Sequence, residues 1–206
     1  MKRTRGRPRA YDPGQALDRA TELFRRNGFS ATSLDGLAEA TGMNRPSLYA
    51  GFGDKRALYL KALDRFRARA DRVFGEAVAD RRSVAEAVEG FFAAALDLYA
   101  PEGGEALGCL ALCTATAEAA SDEAIQDALR GVLAEIDGRL EALLLAAKER
   151  GELPADGDAE GLSLLLAATL HSIAIRARAG QPRRELEASV AAALGALRGA
   201  LSRSAA

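Results

Sequence analysis

Between Gly42 and Asp54 the stretch GMNRPSLYAGFGD carries helix stop and start signals so close together that only a short helix can lie between them. Gly42 can end one helix in the left-handed conformation. Asn44 can cap the next, and Pro46 then falls in the first turn, where the N–H it lacks would have no partner in any case. Gly51 and Gly53 stop that helix and Asp54 can cap another. The stretch is therefore two helix starts, not damage to one helix. Elsewhere Ala and Leu dominate the apolar residues, aromatics are 5% and β-branched residues are few, so helix formers outnumber strand formers. The expected fold class is all-α.

Start and stop signals divide the chain into about nine helices. Asp12-Pro13 opens the first, whose stripe of Ala16, Leu17, Ala20, Leu23 and Phe24 ends at Asn27-Gly28. Ser33 caps a short second helix, Asn44 the third and Asp54 a long fourth. Ser83 and Glu86 have capping-box spacing at the start of a fifth. A break at Pro101, Gly103 and Gly104 precedes a sixth helix expected over about 106–119. The seventh is expected from Asp122 to Arg150, the eighth from Asp158 to Ala179, and the ninth after Pro182. The eighth, through LSLLLAATLHSIAI, is apolar around most of its circumference and needs covering. The division predicts a basic arm over 1–11, a three-helix head over 12–57 and a helical body over 58–203.

Charge separates these parts. Residues 1–61 hold 12 Lys and Arg against 6 Asp and Glu, and the rest hold 16 against 23, within a net charge of -1. A basic module attracted to polyanions on an acidic body is the expected organisation. No apolar run reaches the ~20 residues that span a bilayer, and no signal-peptide core follows the basic start, so a cytoplasmic location is expected. Cys109 and Cys113, four apart on one helix, are expected to be thiols.

Helices two and three, joined through Gly42 and Met43, have the arrangement of a helix-turn-helix, whose second helix enters the major groove. Leu48 and Phe52 would face the core and leave Asn44, Arg45, Pro46, Ser47 and Tyr49 toward solvent or DNA. Arg45 can donate two hydrogen bonds to a guanine edge, Asn44 and Ser47 can reach bases or phosphates, and Tyr49 can donate to a phosphate. Ser33 and Lys55, each at the start of a helix, are placed for phosphate contact. A plain helical hairpin with a solvated polar face would use the same spacing.

The segment from Phe24 to Leu63, FRRNGFSATSLDGLAEATGMNRPSLYAGFGDKRALYLKAL, resembles the DNA-binding domain of TetR-family transcriptional regulators. The resemblance implies a recognition helix carrying Asn44, Arg45, Pro46, Ser47 and Tyr49, and a phosphate contact by Lys55. Where the family commonly has a bulky pair after the tyrosine, this chain has Ala50-Gly51. In the arm, Gly6 and Pro8 among Arg5, Arg7 and Arg9 resemble the core of an AT-hook, which lays arginines in the minor groove of A·T-rich DNA. The alternative is a solvated basic tail.

The resemblance further implies a homodimer paired through helices eight and nine and a small-molecule inducer enclosed by the other helices of the body. Candidates for that pocket are Phe91, Phe92, Leu96, Tyr99, Cys109, Cys113 and His171. Aromatics at helical spacing also describe an ordinary core. Some quinone- and electrophile-sensing members carry Gly-Cys-Leu at a place like that of Cys109, and a thiolate at a helix N-terminus would be stabilised. With one histidine, a zinc site would lack ligands, and no metal or cofactor is expected. No nucleophile elbow, phosphate-cradling glycine loop or distinctive acidic pair supports an enzyme. The expected function is a repressor released from a pseudo-palindromic operator by a ligand or by thiol modification. The alternative is an activator or an architectural DNA-binding protein.

Overall fold

The computed structural model describes residues 12–202, and the arginines of the arm, Arg5, Arg7 and Arg9, lie outside them. Nine helices and no strand occur among the described residues: α1 (Pro13–Asn27), α2 (Leu34–Thr41), α3 (Arg45–Phe52), α4 (Lys55–Val78) and α5 (Val84–Tyr99) are followed by α6. This helix is a π-helical stretch, Ala111–Ala115, that runs into one α-turn, Thr116–Glu118. Then come α7 (Glu123–Glu149), α8 (Ala159–Arg178) and α9 (Arg183–Ser202).

Seven helices begin on a side-chain oxygen that accepts backbone N–H groups of the first turn: Asp12, Ser33, Asn44, Asp54, Ser83, Asp122 and Asp158. The Ser83–Glu86 box is only half reciprocal. Glu86 N–H donates to Ser83 Oγ at 3.2 Å, while the Glu86 carboxylate accepts from Arg82 N–H instead of from the cap residue.

Helix α6 is shorter than its pattern predicts. It begins at Leu110, because Gly108 has φ +64° and cannot belong to a right-handed helix. The residues from Ala106 to Cys109 instead bring the chain back across the end of α5, where Gly108 N–H donates to the Tyr99 carbonyl at 3.0 Å.

Helix α4, about 36 Å long at 1.5 Å per residue, belongs to both halves of the molecule. Its first turns close the three-helix head over Phe24, Leu37, Met43, Leu48 and Phe52, and its later turns place Phe66 and Phe74 in the body's core. Tyr59 marks the crossing. Its ring packs edge-on to Phe24 at 5.0 Å, and its buried hydroxyl pairs with Thr114 Oγ1 on α6 at 2.6 Å.

Candidate DNA-reading face and effector cavity

The head presents α3 through local chemistry. Asn44 Oδ1 accepts from Ser47 N–H at 2.9 Å, and Pro46 occupies the first turn. Leu48 and Phe52 are buried with Met43, leaving Asn44, Arg45, Pro46 and Tyr49 exposed and Ser47 half-buried. Tyr49, 48% exposed, is a large aromatic ring held in water at the centre of this face. Ala50 and Gly51 beside it are exposed too and add almost no bulk.

Two of the expected contact residues have partners within the chain. Arg45 donates from Nε to Asp35 Oδ1 at 2.8 Å and makes an ion pair with the same carboxylate, which raises its pKa further. Both groups are exposed, so the pair is readily exchanged for another anion or for a base edge. The pair also aims the guanidinium across the α2–α3 angle. Asp35 was not among the residues singled out by sequence; its place in the first turn of α2 was the available signal. Lys55 Nζ lies over the Phe29 ring at 4.4 Å and donates to the Ser30 carbonyl at 3.4 Å, with its side chain half-buried. Ser33 is exposed, and its Oγ accepts from Gly36 N–H at 3.0 Å as the cap of α2.

In the body, a cavity of about 40 Å³ lies among α4, α5, the start of α6 and α7. Of the expected pocket residues it brings together Phe91, Tyr99 and Cys109. Phe92 and Leu96 are buried in the core outside its lining, Cys113 Sγ donates to the Ala174 carbonyl at 3.5 Å, and His171 lies on α8 with its Nε2 buried and unpartnered. The lining also includes Leu63, Phe66 and Phe74 from α4, and Val132 and Ile136 from α7. These five were not among the expected pocket residues, because periodicity alone does not separate wall from filling.

The inner end of the cavity is neutral. Burial pushes up the Tyr99 hydroxyl and the Cys109 thiol, which lie against each other, and it raises Cys113 to about 11. The backbone N–H groups of Ala111 and Leu112 do favour a Cys109 thiolate, as expected at a helix start, but desolvation outweighs them. Among the described residues no three His, Cys, Asp or Glu side chains gather as metal ligands.

A buried arginine joins cavity and head. Arg25, near the end of α1, donates Nε and Nη2 to the Gly108 carbonyl at 3.1 and 2.8 Å and Nη2 also to the Leu98 carbonyl, with its guanidinium 5.3 Å from the Phe66 ring. Arg178, on α8, in turn donates to the carbonyls of Arg25 and Arg26 at the end of α1. Arg178 thus closes a helix C-terminus within its own chain, and Arg176 bonds Ser172 and Gln181 on the surface.

Residues 16–62 match the profile of bacterial regulatory proteins of the tetR family, and residues 84–193 match the tetracyclin repressor-like C-terminal domain. The HTH-type transcriptional repressor ComR of Escherichia coli (strain K12) is 33% identical over 187 residues, which is 90% of this chain and 89% of that protein. A solved structure of a cysteine mutant of the TetR-family regulator CifR, complexed with 26bp double-strand operator DNA, superposes with a TM-score of 0.84. It shares 31% identity and covers 93% of this chain and 99% of that one. The reduced form of E. coli NemR shares the fold at a TM-score of 0.75 and 19% identity, covering 88% of this chain and 94% of that one.

Proposed function

Because this chain belongs to the TetR family of bacterial transcriptional regulators, we propose that it is a repressor whose two α3 helices read a pseudo-palindromic operator, released when a small molecule occupies the α4–α7 cavity. The observation that carries this reading is the division of α3: Leu48 and Phe52 are buried, while Asn44, Arg45 and Tyr49 are exposed, Arg45 paired with Asp35 and Asn44 capping the helix. Arg45 leaves Asp35 for a guanine edge, Asn44 and Ser47 meet bases or phosphates, and Tyr49 donates to a phosphate. Pro46 keeps the first turn close to the DNA, and Ser33 and Lys55 meet the flanking phosphates. The arginines Arg5, Arg7 and Arg9 extend the contact into the adjacent minor groove. The functional divisions are the arm 1–11, the head 12–57 and the body 58–203.

The dimer forms through α8 and α9. Among the described residues, three of the five large exposed apolar residues are on α8, namely Leu164, Leu165 and Ile175. On α9 the exposed residues Ala188, Ala192, Gly195 and Gly199 share one face, and a Cβ added at Gly195 or Gly199 would meet nothing within 4 Å. A broad apolar helix beside a small-residue helix is a surface on which a second copy can approach closely. Among the described residues no helix is long and apolar enough to cross a membrane, and a DNA operator as the partner supports a cytoplasmic location.

A buried Cys109 and a half-buried Cys113, both with thiol pKa values raised by burial, favour a bound ligand over thiol modification as the releasing event. The test is selection of genomic fragments by the purified protein. It should return an inverted repeat of about 15–25 base pairs, from half-sites one helical turn apart. Arg45→Ala should lower discrimination for it about tenfold or more. Selection of no common sequence overturns the proposal. Footprint position relative to the promoter then separates repression from activation, and a Cys109→Ser variant that no longer responds to a quinone would restore the thiol version.

A further inference from the structure

The chemistry of the cavity and of its mouth limits what can occupy it. Leu63, Phe66, Phe74, Phe91, Val132 and Ile136 form apolar walls, and the inner end offers one phenol and one thiol. The nearest buried cation, Arg25, directs its donors to the Gly108 and Leu98 carbonyls. A charged ligand carried inward would therefore lose its hydration without gaining a counter-ion, which is prohibitive in an apolar interior. An uncharged acceptor oxygen, by contrast, can take a hydrogen bond from the Tyr99 hydroxyl.

Charge is confined to the mouth, and there it is paired across the seam between α4 and α7. Arg67 donates Nε to Glu135 Oε2 at 2.7 Å and also pairs through Nη2; Arg139 donates to Asp71. Nearer the head a third pair, Arg56 with Asp122, continues the seam, with Arg56 Nη2 2.7 Å from Asp122 Oδ1. The partners are 66, 68 and 68 residues apart in sequence, so the two helices run parallel with an almost constant offset. Outside the mouth pairs, Val78, Ala142, Leu143 and Ala146 line an open apolar groove that shares Asp71, Glu135 and Arg139 with the cavity. Apolar surface thus lies on both sides of a two-pair latch. At about 40 Å³ the cavity holds only a few water-sized spheres, far less than the ~300 Å³ or more of an ordinary ligand pocket. Occupation requires the latch to part.

We propose that the effector is an uncharged, largely apolar small molecule with one acceptor oxygen directed at Tyr99, and that it reaches the cavity by parting the Arg67–Glu135 and Asp71–Arg139 pairs between α4 and α7. This rests on the reading of the cavity as the effector site of a DNA-releasing regulator. Parting the seam frees α4, the helix that also closes the head.

Three probes of similar size test the class: acetophenone, benzoate and benzylammonium, each titrated against the full-length protein by calorimetry and by operator release. Acetophenone should bind and the two ions should not. Tyr99→Phe should weaken acetophenone about threefold to tenfold, the loss of one hydrogen bond. Ala70→Leu, which narrows the cavity from a half-buried position, should weaken it further. Replacing the latch by Asp71→Leu with Arg139→Met should speed acetophenone association severalfold. Binding of either ion as tight as that of acetophenone overturns the proposal, as does no binding of acetophenone, or binding indifferent to both Tyr99→Phe and Ala70→Leu. If the operator is still selected in those cases, only this inference fails; if no sequence is selected, the reading of the protein as a regulator fails first.

Discussion

Two glycine-containing breaks, Gly42–Asp54 in the head and Ala100–Leu110 before α6, are held by opposite means. In the head each donor and acceptor is nearby in sequence: Asn44 caps Ser47, Asp54 caps Ala57, and Gly42 N–H donates to the carbonyl of Glu39. At the second break, three successive carbonyls at the end of α5 and just beyond it are satisfied from elsewhere: Leu98 by Arg25, Tyr99 by Gly108 and Ala100 by Arg183 of α9 at 3.0 Å. The first break is held by bonds between near neighbours in sequence and leaves its outer face free for another molecule. The second exists only when α1, α5, α8 and α9 are all in place, which suits a point where an event in the body must be felt by the head.

Glycine substitution tests this difference most strongly. Gly42 and Gly108 have similar angles, φ +68° and +64°. A Cβ at Gly42 would find only Arg19 Nη1 at 3.9 Å, whereas at Gly108 it would collide with the Ala174 carbonyl and lie 2.8 Å from Cys113 Sγ. Gly42→Ala should cost about 1–2 kcal/mol, the left-handed conformation alone. Gly108→Ala should cost about 3–5 kcal/mol once overpacking is added, lowering the thermal midpoint by about 10 °C or more. Equal midpoints for the two variants would mean that the breaks do not differ as described.

The arginines rank next. Arg25→Met leaves the Leu98 and Gly108 carbonyls without their donor, and each unsatisfied buried group costs about 1–3 kcal/mol. A loss of about 2–4 kcal/mol is expected, and Arg25→Lys should recover only part of it, because an ammonium lacks the planar fork that reaches both carbonyls. Arg45→Ala, by contrast, should leave the thermal midpoint unchanged while operator discrimination falls. Denaturation and operator titration of the variants check the contrast. Asn44→Ala lies between the two, with about 0.5–2 kcal/mol lost with the cap, and Asn44→Asp should retain the stability while repelling phosphate.

The same contrast explains what could be read in advance. The caps at Asp12, Ser33, Asn44, Asp54 and Ser83 were visible because cap and donor are two or three residues apart. The family resemblance over Phe24 to Leu63 picked out the exposed face of α3 for the same reason, although the Asp35 partner of Arg45 was not anticipated. At the second break the residues Pro101, Gly103 and Gly104 announced an interruption. They did not announce that it would extend to Cys109, since that depends on an arginine 83 residues earlier taking the Gly108 carbonyl. Phe91, Tyr99 and Cys109 were found as cavity residues, but Phe92, at the same kind of apolar position, turned the other way. Its neighbour Phe91 packs on Phe74 at 4.5 Å and so faces α4.

The smallest expected effect separates the regions by pH. On the α3 face the charged group, Arg45, is exposed, whereas His171 in the body has its Nε2 sealed without a partner, and burial lowers its pKa despite the opposing charge of Asp137 on α7. The unfolded chain, with a histidine near 6.5, then binds a proton more readily than the folded one. Stability contributed by neutral His171 is present in full above pH 6.5 and declines as pH falls below it, until the folded pKa is reached. Between pH 7.5 and 5.5 the thermal midpoint should therefore drop, on the order of 1 °C, and His171→Gln should flatten that slope. Arg45→Ala should leave it as in the wild type, because the α3 face contributes no group that titrates there. A slope that survives His171→Gln would mean that the body's histidine reaches water more freely than its sealed nitrogen implies.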